Sequence, residues 1–267
     1  MKEKTIENIF NRKLIKLKIN FNIFKNKRIL ITGSEGSIGK KLSKKLKPHT
    51  KFIVGADISN DITKTKTINK FKKIEFDFIF HLAADKRADY GEVNPSKVTM
   101  LNIDSTTKIL KLKSKKIILG STCKAADPIT SYGASKLITE RIVLNAGGNI
   151  TRFVNVFDTS ASVTKIWKKF SRASAIPVTD CKRYFMSLEE AVNLLLFTAS
   201  MKKGRYSYNK LKLVHMRDIA KKLYPGRKKK IIPLRFGDRP VEKLVGNYEK
   251  KKIISKDIIQ IKDCWNV

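Results

Sequence analysis

Tyr132 and Lys136 lie four residues apart in Tyr132-Gly133-Ala134-Ser135-Lys136, within a predicted helix from Ser131 to Asn145. That spacing sets a phenol and an ammonium on one helix face. A neighbouring ammonium, together with the charge of an oxidised nicotinamide, lowers a phenol's pKa from about 10, so that it takes a hydroxyl proton as hydride leaves the same carbon. The spacing alone is common and usually structural. Here the hydroxyls of Ser121 and Thr122 precede it just after an apolar strand, and a glycine turn lies upstream. Gly33, Gly36 and Gly39 form GxxGxxG, with Ser37 and Ile38 inside the turn; such a turn lets backbone N–H groups and a helix N-terminus approach a pyrophosphate without Cβ clashes. Asp57 follows about 20 residues later, where a carboxylate accepts from adenosine ribose hydroxyls and repels a 2′-phosphate. NAD is therefore expected, with NADP the alternative. Asp61 is the competing acid.

The elements that must hold these residues follow from periodicity. Arg28 to Thr32 reads as a short strand, and the glycines open a helix running to about Leu46. Lys51 to Ala56, Phe76 to His81 and Lys116 to Leu119 read as further strands, with a helix over about Pro95 to Leu112. This β/α alternation predicts an α/β fold: a Rossmann-like, doubly wound parallel sheet with helices on both faces and a smaller C-terminal substrate lobe. The expected domains are a basic amphipathic lead-in over 1–26, an NAD-binding unit over 27–152, and a substrate lobe over 153–267, partly interleaved. Packing of the lead-in on the domain is expected over contact with an anionic membrane. Within the lobe we expect helices from Leu188 to Met201 and around Met216 to Leu223, and a hairpin-like Ile231 to Phe236.

These segments resemble the extended short-chain dehydrogenase/reductases, and within them the polysaccharide-biosynthesis nucleotide-sugar 4,6-dehydratases. The motifs run in that family's order: Ile31-Thr32-Gly33 through Gly39, His81-Leu82-Ala83-Ala84, Glu92-Val93-Asn94-Pro95, Ser121 to Lys136, Arg183-Tyr184-Phe185-Met186 and Leu234 to Arg239. The stretch from 121 to 136 is the most specific. Even Ile6 to Arg12 resembles the lead-in that precedes the catalytic domain of large membrane-anchored members. The resemblance implies a UDP-sugar substrate, most often UDP-N-acetylglucosamine, converted to a 4-keto-6-deoxy sugar for surface polysaccharide or glycan synthesis. It also implies roles. Tyr132 deprotonates the C4 hydroxyl, Lys136 holds the nicotinamide ribose, Lys124 removes the C5 proton and Thr122 hydrogen-bonds the sugar. Gly33, Gly36, Ser37, Ile38, Gly39, Asp57 and Ala83 join Tyr132 and Lys136 around the cofactor. Lys86, Asn155, Arg183, Arg235 and Glu242 bind substrate, with the two guanidiniums as candidates for the diphosphate.

The pattern departs from the family at Cys123, which stands where an acid protonates the departing C6 hydroxyl. A thiol has a pKa of about 8.5 and is a weak donor. Three outcomes follow: dehydration with Cys123 as a poorer acid, dehydration with another acid such as Asp85, or C4 oxidation without dehydration. The last gives a UDP-sugar 4-epimerase or 4-reductase, and an inactive homologue is a further alternative. The segment between Asp57 and His81 is roughly 20 residues short, which implies a trimmed sheet.

The formal charge is +35, yet 46 of the 58 basic residues are lysine, dispersed beside apolar positions as on solvated helix faces. Generic attraction to polyanions and anionic surfaces is expected, without a specific nucleic-acid site. Three widely spaced cysteines and three isolated histidines suit neither a disulfide framework nor a metal site. No apolar run approaches the roughly 20 residues that cross a bilayer, and no secretory signal pattern opens the chain, so a cytoplasmic location is expected. The family's tendency to oligomerise makes a homo-oligomer the expected assembly.

Overall fold

Short apolar runs form strands here because helices cover both of their faces. In β1 (Arg28–Thr32), Ile29 and Ile31 enter one hydrophobic core and Leu30 the other. Phe80 and Ile79 of β3 (Phe76–His81) divide the same way, as do Ile118 and Leu119 of β4 (Ser114–Thr122). Such near-continuous apolar strands mark a parallel sheet buried on both sides. A computed structural model describes residues 3–57, 61–159, 162–170 and 175–264. Met1 and Lys2 of the predicted lead-in, and residues 160–161, 171–174 and 265–267 of the predicted lobe, lie outside the described residues.

With β2 (Phe52–Ala56), β5 (Asn149–Phe153), β9 (Gly204–Tyr208), β12 (Glu249–Ile253) and β13 (Ile258–Asp263), the main sheet runs β2-β1-β3-β4-β5-β9-β13-β12. The first six strands are parallel, and β13 and β12 close one side antiparallel. Strands 204–208 and 249–263 thus return to the sheet from the C-terminal part of the chain. Helices α2 (Ser37–Leu46) and α8 (Leu188–Ser200) cover one face; α5 (Pro95–Leu110) and α6 (Ser131–Asn145) pack together on the other. The chain moves outward from β1 to β2 and then crosses to β3 on the other side of β1. That reversal opens a crevice at the C-terminal ends of β1 and β3, where ligands of open α/β sheets bind. β2 is the edge strand, as the short Asp57 to His81 segment implied; that segment holds α3 (Thr65–Lys72).

A second body of structure has its own core. Strands β6 (Asn155–Val156), β8 (Lys182–Met186) and β10 (Leu213–His215) form a small sheet, and β7 (Ala175–Thr179) pairs with β11 (Lys228–Ile232). Helices α1 (Glu3–Phe10), α7 (Val163–Lys169) and α9 (Met216–Leu223) join them, burying Phe10, Phe157, Trp167, Val178, Phe185 and Ile219 together. The lead-in therefore packs rather than hanging free. Its Arg12 makes a buried ion pair of 2.6 Å with Glu190, the residue that completes the capping box of α8 with Ser187. The hairpin expected at Ile231 to Phe236 is absent. Instead β11 runs parallel to β7, because register with Ala175–Thr179 buries Ile176 and Val178 beneath it. The strand expected over Lys116 to Leu119 is longer, so Ser121 and Thr122 are its last residues rather than part of the following loop. Among the described residues no helix is long and apolar enough to cross a membrane.

Candidate active site

The glycine turn sits at the end of β1 because no other residue fits it. Gly33 has φ +70°, and a Cβ there would lie 2.9 Å from Ala83 N. A Cβ on Gly39 would meet Gly33 O at 2.2 Å, so α2 can start only where glycine lets the turn fold back under it. Gly36 caps α2, with Ser37 and Ile38 in its first turn. The Asp57 carboxylate, at the end of β2, accepts from Glu35 N at 2.8 Å, which puts it against the turn; Asp61 accepts locally from Thr63. Backbone N–H groups of a glycine turn at a helix N-terminus suit a dinucleotide pyrophosphate.

The floor of the crevice is a buried hydrogen-bond chain. Thr32 Oγ1 accepts from Leu82 N and Ala83 N, so its own proton goes to His81 Nδ1 at 2.7 Å. His81 Nε2 then donates to Thr106 Oγ1, and Thr106 donates to Asn102 O. Burial, aided by the Lys136 charge, lowers the His81 pKa to about 3 and keeps the ring neutral. Asn102 holds both backbone groups of Asp85 and donates to Ser135, fastening the segment after β3 to α6. Neither Asn102 nor Thr106 was singled out from the sequence, since polar residues on a helix read as its solvated face.

Above that floor β4 ends in Thr122, which caps a 3₁₀ turn over Cys123–Ala125 by accepting from Lys124 N. α6 begins close by. Thr130 caps it by accepting from Gly133 N, Glu92 accepts from Ser131 N, and a Cβ on Gly133 would lie 2.5 Å from Lys124 O. The strand end and the helix start are therefore in direct contact, which sets the Tyr132 phenol near Thr122. Burial first, then Cys123 and Asp85, push the Tyr132 phenol up, with Thr122 opposing. This departs from the expected lowering by Lys136, because the Lys136 Nζ donates to Gly120 O at 2.8 Å. Burial brings the Lys136 pKa down to about 8 against the pull of Glu140. Glu140, one turn further along α6, accepts from Ser121 and lies in a buried network with Arg152, Arg205 and Glu249.

A pocket opens beside these residues, lined by Cys123, Lys124, Arg183, Arg239, Glu242 and Lys243, among others. It is roofed by the segment around Gly237–Asn247, which is pinned to the β4–α6 connection by Arg239 Nη1 on Ala126 O, and by Asn247 N and Lys243 on Asp127. Asp238 gathers three cations: Arg235 at 3.1 Å, Arg183 at 3.4 Å and Lys124 at 3.9 Å. Arg183 is buried and faces the pocket. Arg235 is exposed and pairs with Asp89 and Asp238 outside it. Arg239, not singled out from the sequence as a site residue, lines the pocket, held there by its bond to Ala126 O. Asn155 Nδ2 donates to Glu242 and to Tyr184 O, while Lys86 is exposed on the segment after β3. Cys123 is buried, and its thiol is pushed well up by burial, with Glu242 beside it adding to the effect. Asp85 is held low by its bonds to Arg87.

Comparison with known proteins places this arrangement. The chain is 29% identical to a UDP-N-acetylglucosamine 4,6-dehydratase (inverting) of Campylobacter jejuni, over 84% of this chain and 79% of that protein. It is 30% identical to an uncharacterized membrane protein of Methanocaldococcus jannaschii, over 91% of this chain and 85% of that one. The X-ray structure of Pen from Bacillus thuringiensis shares the fold with a TM-score of 0.78 at 24% identity, covering 90% and 89% of the two chains. Residues 43–263 match the polysaccharide biosynthesis protein family, and with the end of β4, α6 and the roofing segment all inside that span, the chain belongs to this family.

Proposed function

We propose that this chain is an NAD-dependent nucleotide-sugar 4,6-dehydratase acting on a UDP-sugar, with UDP-N-acetylglucosamine its first candidate substrate. The observation that carries the reading is the β4–α6 junction, which brings Thr122, Lys124 and Tyr132 together, with Lys124 opening into the same pocket as Arg183 and Arg239. A nicotinamide dinucleotide bound at the glycine turn would accept a hydride from C4 and return it at C6, and its cationic ring would offset the burial that raises the Tyr132 phenol. Gly33, Gly36, Ser37, Ile38 and Gly39 hold the pyrophosphate, Asp57 takes the adenosine ribose hydroxyls, and Ala83 and Lys136 line the nicotinamide end.

The rest of the chemistry belongs to side chains. Tyr132 takes the proton of the C4 hydroxyl, and Thr122 aligns it. The new ketone acidifies C5, whose proton passes to Lys124 Nζ. Arg183 and Arg239 clamp the diphosphate from the pocket wall, with Arg235 at its rim and Asn155 beside the sugar. The test is mass spectrometry of UDP-N-acetylglucosamine incubated with protein and NAD. Loss of one water is the expected result, and loss of that product in Lys124→Ala with cofactor binding intact assigns the base. The buried thiol of Cys123 favours one second reading, a UDP-sugar 4-epimerase; its product keeps its mass and changes only its chromatographic position.

A further inference from the structure

The strand-end position from which a carboxylic acid would protonate the leaving C6 hydroxyl carries a thiol, yet a carboxyl group is present beside it. Glu242 is 7% exposed and lines the pocket with Cys123 and Lys124. Its Oε2 is fixed by two donors, Asn155 Nδ2 at 2.7 Å and Tyr184 N at 3.0 Å. Its Oε1 is buried without a hydrogen-bond partner. Among the described residues no Lys, Arg or His nitrogen lies within 4.0 Å of it, although Lys243 beside it in sequence pairs with Asp127. A buried carboxyl anchored through one oxygen and unpartnered at the other is costly as structure alone. The other carboxyl considered for this task, Asp85, has both oxygens bonded to Arg87.

We propose that Glu242 Oε1, and not the Cys123 sulfur, delivers the proton to the C6 oxygen of the bound sugar; the assignment rests on the dehydratase reading above. The step balances within the pocket. Lys124 takes the C5 proton, the electron pair left at C5 forms the C5–C6 double bond, the C6–O bond breaks, and the oxygen leaves with the Glu242 proton as water. Glu242 ends as a carboxylate. The proton that Tyr132 took from O4 matches the one Glu242 gives up, and exchange through solvent resets both. The Lys124 proton returns to C5 when C6 is reduced.

The experiment compares wild type, Glu242→Gln and Cys123→Ala on UDP-N-acetylglucosamine with NAD, following water loss by mass spectrometry and reduced nicotinamide by absorbance. UDP affinity is measured separately by calorimetry on protein without added NAD. Glu242→Gln is expected to lose water elimination by about 100-fold or more, the usual worth of a general acid, while reduced nicotinamide accumulates. Its UDP affinity is expected to stay within about threefold. Cys123→Ala is expected to lose less than about tenfold of the elimination rate. The assignment is overturned if Glu242→Gln keeps eliminating water, if its UDP affinity falls in parallel with turnover, or if Cys123→Ala loses as much as Glu242→Gln. A wild-type protein that oxidises the sugar but releases no water overturns the dehydratase reading itself, and the acid assignment with it.

Discussion

His81 shows how one side chain links stability to the site. It is 1% exposed, sandwiched between Thr32 and Thr106, and holds the crevice floor in one tautomer. Its pKa of about 3 lies below the ordinary 6.5, so between those values the unfolded chain binds a proton that the folded chain refuses. Stability is then fully present above about pH 6.5 and drains away as pH falls towards 3, by up to about 4–5 kcal/mol for a shift of this size. His81→Gln keeps a polar side chain without a titrating group. Its unfolding free energy from urea titrations should be lower than wild type at pH 7, where hydrogen bonds are lost, and should depend less steeply on pH between about 3 and 6.5. Parallel pH curves for the two proteins would mean that other groups set the acid response. The sequence presented His81 only as an isolated histidine in a motif, and its role appears once Thr32 and Thr106 are brought to either side of the ring.

At the scale of elements, the site is the junction of β4 with α6. Ser121 and Thr122 end the strand, Thr130 starts the helix, and Gly133 lets the helix lie directly on Lys124 O. Gly133→Ala would place a Cβ 2.5 Å from that carbonyl, which must push the first turn of α6 away from the 3₁₀ turn that carries Lys124. Overpacking of this kind costs about 1–3 kcal/mol, and because Tyr132 rides on the displaced turn, turnover should fall at least about tenfold. Thermal unfolding and turnover on the same preparation check it; a variant with wild-type turnover would show that the junction has slack. Much of this was legible beforehand. The helix Ser131–Asn145 and the strands Arg28–Thr32 and Phe76–His81 stand where periodicity put them, because long patterns and glycine stops leave little choice. Parallel pairing of Lys228–Ile232 with Ala175–Thr179 was not legible, since alternation identifies a strand but not its partner some 50 residues away. Arg239 and Asp238 were hidden for a related reason: they meet Ala126, Lys124 and Arg183, all more than 50 residues away in sequence.

For the whole molecule, the dominant sequence feature is charge, and the structure spreads it over exposed faces and strand edges. Several carboxylates gather more than one cation: Asp77 lies within 4.0 Å of nitrogens from Lys27, Arg28 and Lys115. The lysines left over cover surface and edges. Lys250, Lys251 and Lys252 are exposed along the outermost strand of the main sheet, and Lys228 and Lys230 along β11, where a row of ammonium groups discourages pairing with another chain. An excess spread in this way is expected to attract polyanions by counterion release without reading their sequence, because base recognition calls for side chains aimed into a groove. Two DNA duplexes of unrelated sequence, and heparin, should therefore bind at low salt, and the duplexes should bind with equal affinity. Both duplex affinities should fall together, by orders of magnitude, as salt rises from about 50 to about 200 mM. A duplex that kept its affinity through that range, or displaced the other at equal concentration, would require a built nucleic-acid site. With neither outcome, the charge is a property of the protein's surface, and the chemistry stays at the mouth of the sheet.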